Sequence, residues 1–111
     1  QSMNMDAMVI ADTAGTICFW NSGAESLFGH TAAQAIGQTL DLIVPPQYRE
    51  AHWNGFHRAM ASGQAAAEGQ SGPFPVARAD GADAPVHGRL TLLRGPHGQV
   101  TAAAVLFASL P

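Results

Sequence analysis

Apolar positions in this chain fall in short runs separated by turn residues. Ala7-Met8-Val9-Ile10-Ala11 is followed by Asp12-Thr13-Ala14-Gly15, the pattern of a strand and a turn with glycine at the position needing positive φ. Thr16 to Trp20 is rich in β-branched and aromatic residues and predicts the returning strand. Asn21-Ser22-Gly23 can cap a short helix from Ala24 to Phe28, stopped by Gly29. Thr31 with Gln34 three residues on is a capping box for a second short helix, Ala32 to Ile36, ending at Gly37. Leu40 to Val44 is apolar and stops at Pro45-Pro46, and the longest helix follows, Gln47 to Ala61 or Ser62, closed by Gly63. Ala65 to Gly72 is small and without a pattern. Three strands are expected after it, Pro73 to Ala79, Pro85 to Leu93 and Val100 to Leu110, with turns at Ala79-Asp80-Gly81-Ala82 and Gly95-Pro96-His97-Gly98.

Two strands, a block of helices and three strands make an α+β domain with an antiparallel sheet. The 111 residues are one domain without repeats or linkers, and 47% apolar residues supply a core. Only 12% are charged, so much surface is expected to be hidden against itself, a partner domain or a second copy. The net charge of −3 with five basic residues leaves no basic stripe for nucleic acid. No apolar run reaches membrane-spanning length, and Gln1-Ser2-Met3 does not begin a signal peptide. A single cysteine, Cys18, rules out an internal disulfide or a multi-cysteine zinc site; it reads as a small core residue in a reducing, cytoplasmic setting.

Further residues carry a resemblance. Asn21-Ser22-Gly23-Ala24-Glu25-Ser26-Leu27-Phe28-Gly29-His30 resembles the PAS-domain pattern Asn-x-x-Ala-x-x-Leu-Phe-Gly-Tyr. Thr31 through Gly37 resembles the Ser/Thr-x-x-Glu-x-Ile-Gly that follows it, with Gln34 at the acidic position. Asp41 to Pro45 and Arg78-Ala79-Asp80-Gly81 resemble the family's Leu-Ile-Pro stretch and its Arg-x-Asp-Gly turn. The resemblance covers about residues 5 to 110. It implies a PAS fold, a five-stranded antiparallel sheet with helices on one face, in a sensory domain that is a piece of a larger signalling protein. The photoactive flavin type needs a cysteine in the middle helices, and none lies between Asn21 and Gly63.

Val44-Pro45-Pro46-Gln47-Tyr48-Arg49-Glu50-Ala51-His52-Trp53-Asn54-Gly55-Phe56 resembles the helix of FixL-like oxygen sensors that carries the axial haem histidine. The resemblance puts His52 at the ligand's place and haem b beneath the sheet. It sets Phe56 and Met60 beside the porphyrin and Leu90 on its distal side. Where the oxygen sensors hold oxygen with an arginine, this sequence has Gly72; their bulky distal residues fall on Ala67, Gly88 and Leu90. The small residues leave room in the pocket. Oxygen is then expected to be held poorly relative to carbon monoxide, with Arg78 and Arg89 as donors only if the register shifts.

A helical wheel at about 100° per residue supports the inward direction of His52. Tyr48, Trp53, Phe56, Ala59 and Met60 fall on its side, and Glu50, Asn54, His57, Arg58 and Ala61 on the far side. A buried imidazole needs a partner, since an unpaired polar group costs about 1–3 kcal/mol. Iron is one such partner; a backbone carbonyl or a water is another. His57 reads as a surface residue, and no histidines stand at i, i+4 to chelate a free metal. Asp12, Asp41, Asp80 and Asp83 read as turn or cap residues, and no Gly-x-Ser-x-Gly elbow, Walker loop or Gly-x-Gly-x-x-Gly is present. No enzyme is therefore expected within the chain. Two functions stay open: a ligand-binding sensor, with haem leading, that relays to an effector domain of the same parent protein, and a cofactor-free interaction module. The last strand is apolar on both faces, so a homodimer through the outer sheet face is expected, assisted by Leu92 or its neighbours.

Overall fold

The computed structural model describes residues 6–66, 68–82 and 85–108. Strands β1 (Ala7–Asp12) and β2 (Ile17–Trp20) are joined by a turn that Asp12 closes. Its Oδ1 accepts from the amides of Ala14 and Thr16, both at 3.0 Å, and Gly15 takes a φ of +83°. The register shifts between Ile10 and Ala11: Ile10 pairs with Phe19 and Ala11 with Ile17. Cys18 is the extra residue of that bulge. It is exposed, a correction to its expected place in the core, with Sγ 3.5 Å from the Ile10 carbonyl oxygen.

Asn21 caps helix α1 (Ser22–Phe28), which begins earlier than the expected Ala24. Its Oδ1 accepts from the amides of Ala24 and Met8, each at 2.9 Å, and its side-chain amide donates to the Asp6 carbonyl at 2.8 Å. One side chain thus fastens α1 to β1. The capping box of Thr31 and Gln34 opens helix α2 (Ala32–Ala35), which stops one residue short of expectation because Ile36 is extended. Leu40–Leu42 and Pro46–Tyr48 form single 3-10 turns. Helix α3 (Arg49–Ser62) follows and ends on Gly63 at φ 74°. The segment after Pro46, expected to be helical from Gln47, spends its first turn in the tighter form.

Strands β3 (Ser71–Phe74), β4 (Val86–Arg94) and β5 (Val100–Phe107) complete the sheet. The first of these was expected at Pro73 to Ala79. It lies earlier because Pro75 has no N–H for the ladder, and the Ala77 amide donates instead to the Ile43 carbonyl at 2.9 Å, turning buried Val76 inward. Pro73 is tolerated because β3 is an edge strand. The ladder of β5 ends at Phe107, short of the expected Leu110; residues 109 and 110 lie outside the described residues.

The sheet order is β2-β1-β5-β4-β3, every neighbour antiparallel. Its inner face carries three cross-strand rows: Ala7-Phe107-Gly88-Gly72, Trp20-Val9-Val105-Leu90 and Ile17-Ala11-Ala103-Leu92. Leu92 is buried against Phe56 and Ala103, so it cannot assist an outer-face dimer; its neighbour Leu93 points outward and is 37% exposed. Two apolar clusters cover the inner face. One gathers Phe28, Trp20, Ile17 and Leu27, with Phe28 edge-on to Phe107 at 5.1 Å. The other gathers Phe56, Leu92 and Ala103, with Trp53, Met60 and Leu90 packed on it.

Candidate ligand-binding site

Small residues on the inner rows leave space unfilled beneath α3, and a cavity of about 630 Å³ lies there. Val9, Ala11, Leu90, Ala103, Val105 and Phe107 line it from the sheet. Leu40, Ile43 and Val44 close it from the loop before α3, and Phe74, Pro75 and Val76 from the other edge. From α3 and the 3-10 turn that leads into it, two stripes reach it. His52, Phe56 and Ala59 form the inner one, and Tyr48, Ala51, Gly55 and Arg58, all exposed, form the outer one. Spacings of three, four and three residues put the second stripe on one helical face.

His52 is half-buried on the cavity wall. Its Nδ1 is buried without a hydrogen-bond partner among the described residues. The ring is gripped by Trp53 (centroids 5.0 Å, 75° between planes) and Phe56 (6.0 Å, 31°). Burial pushes its pKa below the ordinary 6.5; the negative Asp41 opposes that shift and His57 adds to it. The imidazole is therefore neutral near pH 7, with a lone pair available to a ligand. Asp41 does more than end a turn: its Oδ1 accepts from the Trp53 indole at 2.7 Å and stands 3.8 Å from Arg49. Asp12 and Asp80 do bond within their turns, and Asp83 lies outside the described residues.

Of the sequence-named site residues, His52, Phe56 and Leu90 share the cavity wall. Met60 belongs instead to the cluster under Leu92. Gly72 and Gly88 pair across the sheet, away from the lining. A Cβ on Gly88 would stand 2.8 Å from the Phe74 ring and 3.0 Å from that of Phe107, so aromatic side chains occupy its room. Ala67 lies outside the described residues. Neither Arg78 nor Arg89 lines the cavity, and Arg89, next to inward Leu90, faces outward. Phe74, Phe107 and Arg58 were missed. The 48, 51, 55, 58 spacing was visible in the sequence, but a wheel centred on His52 assigned Arg58 to solvent and ignored its long stem. Among the described residues no three His, Cys, Asp or Glu side chains converge on a metal position, and no helix is long and apolar enough to cross a membrane.

Comparison with known proteins follows the same lines. The chain is similar to the oxygen sensor protein DosP of Escherichia coli, 30% identical over 78 residues, which are 70% of this chain and 10% of that protein. It is also similar to the sensor protein FixL of Bradyrhizobium diazoefficiens, 38% identical over 47 residues, 42% of this chain and 9% of that one. The chain thus spans about a tenth of the length of these relatives. Its fold is like that of a PAS domain from Colwellia psychrerythraea, with a TM-score of 0.79 at 24% identity over 96% of this chain and 87% of that chain. The PAS fold family matches residues 4–110, and with the five-stranded antiparallel sheet this makes the chain a member of the PAS family, a sensory module.

Proposed function

We propose that this PAS domain binds haem b beneath its sheet, with His52 as the residue that would hold the iron, and relays occupancy of the site to an effector domain of a longer signalling protein. The observation that carries the reading is the buried, unpartnered Nδ1 of His52 on the wall of an apolar cavity. An orphaned polar atom inside a protein costs about 1–3 kcal/mol, and a metal bound at that same nitrogen would remove that cost. The residues present fit the group. The cavity volume lies within the usual range for ligand sites, and its sheet wall is apolar. When bound, haem would supply an iron centre at which a small gas molecule is reversibly held.

The chain's own residues have separate tasks. His52 would hold the iron from α3, kept neutral by burial and aligned by Trp53 and Phe56. Leu90, Val105 and Phe107 would exclude water from the sheet side. No arginine reaches in from β3 or β4, so the sheet wall offers no charged donor. The helix resemblance to FixL-like oxygen sensors and the similarity to DosP, an oxygen sensor by name, favour the same reading. Titrating hemin into the wild type and His52→Ala tests it. A Soret band saturating at one equivalent in the wild type and lost or strongly weakened in the variant is expected. No band in a folded wild type would overturn the haem reading.

A second role falls to the other sheet face, where Met8, Ile10, Phe19, Leu93, Ala104 and Leu106 stand in the outward rows. Phe19 is 42% exposed. We infer that two copies meet there, because an apolar sheet face of this kind is normally covered.

A further inference from the structure

The outer stripe of α3 gives the cavity a direction. Tyr48, Ala51, Gly55 and Arg58 are exposed and also line it, so the cavity opens to solvent along that edge of the helix. The ten residue steps from Tyr48 to Arg58 make a slot about 15 Å long. Small Ala51 and Gly55 leave its middle open, and a Cβ on Gly55 would meet nothing within 4 Å. The slot is polar at one end, where exposed Gln64 joins Arg58. Of the five arginines, Arg49 pairs with Asp41 and Arg94 with Glu68; Arg58, Arg78 and Arg89 have no carboxylate partner among the described residues, and of these three only Arg58 lines the cavity. Arg58 therefore places an uncompensated positive charge at the end of a long apolar slot.

We infer that the cavity binds a long-chain aliphatic carboxylate, its chain along the slot beneath α3 and its carboxylate on Arg58 and Gln64. The ligand is an amphipathic rod with a single anionic end. The apolar sheet wall takes the chain, and a guanidinium matches a carboxylate with two parallel N–H donors. This inference uses the same cavity as the haem reading but neither the iron nor His52. A lipid-derived acid and a porphyrin would then compete for one space.

Calorimetric titration of sodium dodecanoate and of n-dodecanol into the purified chain, with no haem added, tests the assignment. Dodecanoate is expected to bind at one equivalent, and affinity should rise about fourfold per methylene from octanoate to dodecanoate. Arg58→Met keeps the apolar stem and drops the charge. It should weaken dodecanoate about tenfold and leave dodecanol unchanged. Gly55→Leu, at an exposed helix position with free space, should block both ligands without unfolding the chain. No saturable heat, equal losses of acid and alcohol in Arg58→Met, or full binding in Gly55→Leu would overturn the inference. Hemin titrated into the same samples separates the two readings. A Soret band with no dodecanoate binding removes this inference alone, and dodecanoate binding with no band removes the haem alone.

Discussion

Glu68 accepts from the Leu92 amide at 2.8 Å and from Arg94 at 2.9 and 3.1 Å, while Arg94 also donates to the Gly63 carbonyl at 2.9 Å. The two side chains tie the end of α3 and the segment after it to β4. The Arg94 hydrogen bond, and after it the Leu92 amide, hold the Glu68 carboxyl below its ordinary 4.5. A depressed carboxylate stabilises the fold above its unfolded value, and that stability is lost as pH falls through the folded one. The thermal midpoint is therefore expected to drop as pH falls below about 4.5, and Glu68→Gln should lower the midpoint at pH 7 and flatten the acid slope, read by circular dichroism. Trp53→Phe removes the indole bond to Asp41 and should cost about 0.5–1.5 kcal/mol in urea unfolding. Single residues were legible unevenly. Asn21, Thr31 and Gln34 act within three or four positions of themselves, so their spacing suffices to assign them. Glu68 and Arg94 are 26 residues apart, and nothing local in the sequence marks them as a pair.

Gly55 lies in the interior of α3, where glycine is poorer than alanine by about 0.8–1 kcal/mol, and its neighbourhood is open. Gly55→Ala should stabilise the chain by about that amount in chemical denaturation while narrowing the cavity mouth. Gly88 behaves in the opposite way. A side chain there would collide with Phe74 and Phe107, and Gly88→Val should destabilise by about 1–3 kcal/mol. Neither glycine differs from the other in sequence; the rings that surround one and spare the other come from β3 and β5. For the same reason β3 was misplaced. Its alternation is weak, and the choice of Ser71 to Phe74 over Pro73 to Ala79 rests on the prolines and on pairing with β4. The long helix and strands β4 and β5 were legible because each carries a long periodic or apolar run bounded by glycine or proline.

At the scale of the whole molecule, the sheet separates two apolar faces. Its outer rows present Phe19, Ile10, Leu93 and Leu106, and its inner rows wall the cavity. Ile10→Glu or Leu106→Glu should shift a dimer to monomer in sedimentation without affecting hemin uptake, because neither side chain lines the cavity. The α+β order of elements was legible from the runs of apolar residues. The cavity was not, because it depends on which side chains fill the space between α3 and the sheet: Phe74 and Phe107 do, whereas Ala11, Ala103 and Gly55 leave it open. The inward direction of His52 followed from helical geometry, but its lack of a protein partner became visible only in three dimensions. The most direct measurement of the central claim is therefore chemical rescue at that position. His52→Gly is mixed with hemin, with and without added imidazole, and the Soret band that co-elutes with the protein on gel filtration is compared with that of the wild type. The account predicts a wild-type band, none in the variant alone, and its return with imidazole. A band of wild-type strength in His52→Gly without imidazole, or none in the folded wild type, would contradict it.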